Sequence, residues 1–208
     1  MNELKLIVFL LIPIALFGQN QAFKIDSLLS KRISELNVEK IGFTRKSCTG
    51  YGVNSTGYII WEKDSIIKLQ KIDFIEYPNE ELKIYQPIEL ETDFFFFNFE
   101  ENRTILESDK DLKHFQVKVD DEQEFGTVST GYIQTSHSCY RNIYAKSNKF
   151  EYQKLFDYFD LFDSLKNSET EKNINYEFNN ALKIIELDIL INKELKRIES
   201  KAEFIIEN

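Results

Sequence analysis

Chemistry-bearing residues are scarce in this chain. Among 208 residues there are only two cysteines, Cys48 and Cys139, and two histidines, His114 and His137. Structural zinc takes about four ligands, commonly with a close C-x-x-C or H-x-x-x-H pair, and neither spacing occurs. A glycine-rich phosphate cradle and a G-x-S-x-G nucleophile elbow are also missing, so nucleotide binding and the common serine hydrolases have no foothold. No run of Lys and Arg interrupts a formal net charge of -9, and an acidic surface repels phosphate backbones and anionic lipid heads. Nucleic acid is not an expected partner, and no cofactor or metal is implied. Carboxylates do gather in Asp120, Asp121, Glu122 and Glu124, but without EF-hand spacing or its terminal glutamate.

Long apolar runs are equally few. The exception is Leu6 to Phe17, "LIVFLLIPIALF", which follows "MNELK" and precedes the polar "GQNQA". That layout predicts a secretory signal over residues 1–18, too short to span a bilayer, which takes about 20 apolar residues. Cleavage is expected after Gly18, with Ala22 as the second choice, leaving residues 19–208 as one exported domain in the bacterial periplasm or beyond, with no membrane span.

What is present suits a packed fold, since 42% of residues are apolar and 18 are Phe. Ile25, Leu28, Leu29, Ile33 and Leu36 recur at three- and four-residue steps and predict a one-faced helix over Phe23–Leu36. "KIGFTRK" reads as a strand. "TGYIIWE" and "SIIKLQKID" read as the arms of a hairpin, and "ELKIYQPIEL" as a strand whose Pro87 confines it to an edge or bulge. "DFFFFNFEENRTILES" fits a buried strand or a helix capped by Asp93, with the helix favoured. "KHFQVKV", "FGTVSTGYIQT" and "SCYRNIYAK" are joined too closely for parallel crossovers and predict an antiparallel meander. Tyr152, Leu155, Phe156, Phe159 and Phe162 stand at helical spacing. A long helix is expected from Asn175 to Ser200 with stripes Phe178/Leu182/Ile185/Ile189 and Ile184/Leu187/Ile191/Leu195/Ile198. The order predicts an α+β fold: an N-terminal helix, a meander-like antiparallel sheet and two C-terminal helices packed on it. The wide apolar face of the last helix is also compatible with a homodimer.

One repetition stands out. "GVNSTGYII" at 52–60 returns as "GTVSTGYIQ" at 126–134. Opposed residues in an antiparallel pair have a constant index sum. Pairing Cys48 with Cys139 sets that sum at 187, which also places the two Ser-Thr-Gly-Tyr stretches opposite each other. The expectation is therefore a Cys48–Cys139 disulfide between neighbouring twin strands, in keeping with an oxidising compartment.

Two functional classes follow. Tyr58, Trp61, Tyr132 and Tyr140 surround the twin segments, and Tyr and Trp are the side chains that anchor ligands, so they are the candidate binding residues of a non-catalytic domain recognising a protein, peptide or envelope component. The alternative is a periplasmic hydrolase or thiol enzyme. Cys139 would be its nucleophile and His137, two residues away on the same strand face, its base. Glu89, Glu91 and Asp93 supply carboxylates at unknown separation for glycosidic chemistry.

Overall fold

The computed structural model describes residues 30–31, 33–36, 38–48, 54–75, 81–120, 128–133, 135, 138–165 and 171–207. The chain divides into two units, Met1–Val38 and Glu39–Asn208. In the first, residues 30–31 and 33–36 are helical, with Lys31 facing Glu35 one turn on at 3.9 Å. This is the C-terminal part of the helix expected over Phe23–Leu36; its earlier turns, and the signal, lie outside the described residues.

The second unit is built on a seven-stranded antiparallel sheet. Its centre is β1 (Lys40–Cys48), flanked by β2 (Asn54–Lys63) and β8 (Cys139–Lys146). β2 turns into β3 (Ile66–Ile75) through Asp64 and Ser65, whose φ values are 53° and 63°. Such a left-handed pair matches sheet twist in a two-residue hairpin. β4 (Glu81–Ile84) and β5 (Ile88–Leu90) both pair with β3 and are separated by the break around Pro87, which has no N–H for a ladder. β6 (Gln116–Asp120) and β7 (Val128–Tyr132) form a separate two-stranded sheet, and β9 (Glu151–Asp157) closes the far edge of the large one. The large sheet therefore runs β4-β3-β2-β1-β8-β9, with β5 also on β3. The helices are α1 (Phe94–Glu101), α2 (Arg103–Ser108), α3 (Tyr176–Asn180) and α4 (Lys183–Glu199), so the fold is α+β.

The phenylalanine run is helical. Asp93 caps it, accepting the Phe96 N–H at 2.9 Å, and Phe95, Phe96 and Phe99 are buried while Phe97 faces solvent. Strand alternation explains where it lands. Even-numbered positions of β1 and β2 and odd-numbered positions of β3 and β8 share one face. Tyr58, Ile60, Leu69, Ile143 and Ala145 on that face form one core with α1 and α4. Gly42 makes the approach possible, because a Cβ there would sit 2.3 Å from the Phe95 ring and 2.9 Å from the Tyr144 carbonyl. On the opposite face Ile41, Phe43, Ile59, Trp61 and Ile72 are buried as well.

A polar network crosses this core. Arg141, 2% exposed, donates Nε to Asp188 at 2.5 Å and a terminal N–H to Asn192 at 2.5 Å, while the Tyr158 hydroxyl donates to Asp188 at 2.6 Å. Nearer the C-terminal end of α4, Glu199 accepts from the Tyr58 hydroxyl and from Lys71, both at 2.7 Å.

Four sequence expectations change. Residues 151–157 are strand β9, followed by a 3-10 turn at Tyr158–Leu161, rather than a helix. Tyr152 and Phe156 share a face four residues apart in a strand as well as in a helix. Leu155, between them, is 61% exposed. The helix from Asn175 to Ser200 is two helices, broken where Leu182 is extended at φ −68° and ψ 138°. Within the stripes, Ile189 is 63% exposed and the others on α4 are buried. The meander stops after β7, because β8 leaves β6 and β7 to lie against β1.

The fourth change concerns the repeat. Cys48 and Cys139 are opposed and disulfide-bonded, and the ladder keeps the index sum of 187 from Cys48↔Cys139 through Ile41↔Lys146. The strands that share it are β1, which precedes the first twin segment in the chain, and β8, which follows the second. One Ser-Thr-Gly-Tyr stretch lies on β2 and pairs with β1 and β3; the other is in β7 and pairs with β6.

Candidate functional site

The disulfide marks the start of the site. It joins the end of β1 to the first residue of β8, so the next residue, Tyr140, is held against Ser47 of β1 on one side and Asp157 of β9 on the other. Strand alternation turns Cys139 to the helix-covered face and Tyr140 to the other. There Tyr140 is 39% exposed. A thiolate is what attacks in cysteine chemistry, and with its sulfur bonded to Cys48, Cys139 is no such nucleophile in the oxidised chain. Its suggested base, His137, lies outside the described residues.

Beyond Tyr140 opens a cleft of about 550 Å³ lined by His114, Tyr132, Ile133, Thr135, Tyr140, Asp157, Phe159 and Asp160. Four segments meet here: the approach to β6, the end of β7, the start of β8 and the 3-10 turn after β9. Hydrogen bonds lock the turn. Asp157 accepts from the Phe159 N–H at 2.8 Å and from the Ser138 hydroxyl, and Asp160 accepts from the Phe115 N–H at 2.8 Å. Asn179, itself buried, donates to the carbonyls of Lys113 and Asp160 at 2.7 and 2.8 Å and fastens the hairpin approach to the turn. Phe159 stacks on Phe115 with ring centroids 4.8 Å apart.

Charge in the cleft is negative. Asp160 is 7% exposed, and its Oδ2 lies 3.4 Å from Nδ1 of His114, whose ring is largely in solvent. Burial disfavours the charged carboxylate and raises the Asp160 pKa above the ordinary value, against the opposing pull of the Phe115 N–H and His114. Burial also raises the Tyr140 hydroxyl, helped by the charges of Asp157 and Asp160.

Of the four aromatic candidates, the cleft brings together two. Tyr132, 70% exposed, and Tyr140 line it. Tyr58 and Trp61 are 7% and 4% exposed and belong to the two faces of β2, with the Tyr58 hydroxyl bound to Glu199. His114, Asp157, Phe159 and Asp160 escaped sequence reasoning. The signal available was "FDYFD" at 156–160, three aromatic residues interspersed with two carboxylates, which helical spacing obscured.

Glu89 and Glu91 line a smaller hollow of about 280 Å³ with Arg197 and Lys201, and Asp93 is occupied as the α1 cap, its pKa raised by burial. Among the described residues no group of three or more His, Cys, Asp or Glu is placed to hold a metal. The side chains of Asp120 to Glu124 lie outside them. No protein-family model, no curated protein and no solved structure matches this chain.

Proposed function

We propose that the chain is an exported, non-catalytic binding domain whose ligand seat is the cleft between the β6–β7 hairpin and the β8–β9 edge. The observation that carries this reading is the convergence of exposed Tyr132 and half-exposed Tyr140 on one cleft. Amphipathic rings left in water at a concave site are the usual anchors of recognition. Export is supported by the N-terminal signal pattern and by the disulfide, a bond that persists in oxidising compartments. No described helix is long and apolar enough to cross a membrane. The disulfide serves recognition by holding Tyr140 in place, and it takes from the thiol-enzyme alternative the nucleophile that reading required.

The test is affinity capture from the native envelope with the exported chain, beside Tyr132→Ala and Tyr140→Ala. A partner captured by the wild type and lost with both variants is the expected result. Equal capture by all three moves the binding surface away from the cleft.

A further inference from the structure

Resting on the binding reading above, we propose that the cleft recognises a cationic side chain, the guanidinium or ammonium group of a peptide or protein partner. Its walls combine two carboxylates, Asp157 and Asp160, with the rings of Tyr132, Tyr140 and Phe159, and among the described residues no Lys or Arg lines it. Cross-strand pairing sets Tyr140 beside Asp157, and the 3-10 turn brings Asp160 round to the same side three residues later, as its three-residue period requires.

The two carboxylates and the Phe159 ring are held before any ligand arrives. Both Asp side chains are anchored through one oxygen to backbone N–H groups, at Phe159 and Phe115, and Phe159 is clamped between Phe115 and Phe162. A carboxylate has about four acceptor positions, so some capacity remains even with the Ser138 and Tyr140 hydroxyls on Asp157 and His114 against Asp160. Burial first, and the neighbouring Asp157 charge further down, make the ionised form of Asp160 costly and raise its pKa. An opposite charge close by favours the ionised form, and a like charge opposes it. A cationic ligand therefore relieves the cleft, and an anionic one aggravates it. The faces of Tyr and Phe rings attract the same sign of charge, and a planar guanidinium stacks on them while pairing with a carboxylate. His114, the one cation-capable side chain among the described residues of the wall, touches Asp160 at 3.4 Å and occupies the place a ligand would take.

Four capped tripeptides, glycine on either side of arginine, lysine, citrulline or glutamate, are titrated into the exported, disulfide-bonded chain while the Tyr132 and Tyr140 ring resonances are followed. The arginine and lysine peptides should shift both rings and bind about tenfold more tightly than the neutral citrulline peptide, the effect of roughly one charge-assisted contact. Asp157→Asn and Asp160→Asn keep the oxygen that accepts the backbone N–H and should each weaken arginine binding about tenfold. Tyr132→Ala removes a largely exposed ring, which leaves folding intact. It should weaken arginine binding roughly two- to fivefold. His114→Ala should strengthen it about two- to threefold by clearing the Asp160 face. If the citrulline or glutamate peptide shifts the rings as strongly as arginine, or if both Asn variants bind arginine undiminished, the cation assignment is overturned while the cleft remains a binding site. If no peptide shifts the rings and envelope capture is unaffected by the tyrosine variants, both readings fall.

Discussion

Replacing Cys48 and Cys139 together by Ala tests how much of the fold depends on a single bond. The two residues are 91 positions apart, so the disulfide closes most of the second unit into one loop. In the chain-entropy account a loop of that length removes enough freedom from the unfolded chain to stabilise the fold by about 4 to 5 kcal/mol. Domains of this size have a total stability of roughly 5 to 15 kcal/mol, so the bond is a large share of it. Native contacts change little, because both residues are only half-buried and the other β1–β8 register pairs remain. Urea unfolding followed by fluorescence of Trp61, the single tryptophan and 4% exposed, is the assay. With a urea slope of about 2 kcal/mol per M, the midpoint should fall by roughly 2 M. The slope itself should rise, since the uncrosslinked chain exposes more surface when unfolded. A loss under about 1 kcal/mol with an unchanged slope would refute loop closure as the source of the stability.

The α4 helix offers an internal control, because Ile185 is 3% exposed and Ile189 is 63% exposed. Ile185→Ala should cost about 2 to 5 kcal/mol, whereas Ile189→Ala should stay within about 0.5 kcal/mol by the same urea measurement. Arg141→Ala leaves Asp188 buried without its guanidinium partner. It should cost about 3 to 5 kcal/mol in the urea assay, while the paired change to Met and Leu at 141 and 188 should recover most of that. Acid stability should depend on Glu199. Burial opposes its charge, but the bonds from Lys71 and Tyr58 outweigh burial and hold its pKa below the ordinary 4.5. A depressed folded-state pKa contributes stability that is fully present above the ordinary value and is lost as pH falls through the folded one. Glu199→Gln should therefore lower stability near neutrality and flatten its decline in that acid window, read from denaturation midpoints against pH. Asp93 and Asp160, both raised by burial, act with the opposite sign and remain in the variant.

The amino-acid sequence by itself determined the local pieces: an α+β order, a β2–β3 hairpin, the edge broken at Pro87, the Asp93-capped helix and the buried stripe of Ile184, Leu187, Ile191, Leu195 and Ile198. Each depends on neighbours within one or two turns of chain, where side-chain period, capping and turn geometry act directly. It also held the register sum of 187, because only opposed residues with that sum bring Cys48 and Cys139 together. Tertiary structure alone decided which strands use that register. The two-residue turn at Asp64 and Ser65 folds β2 onto β3, and β7 closes a short loop onto β6. Short closures of this kind cost less entropy than a pairing between the widely separated twin segments. Residues 152–156 fit strand and helix alike until β8 provides an edge for them. The cleft was decided last. Its walls come from positions 114, 132, 133, 135, 140, 157, 159 and 160, and the packing of the hairpin approach against the turn, through Asn179 and the Phe115–Phe159 stack, makes them neighbours.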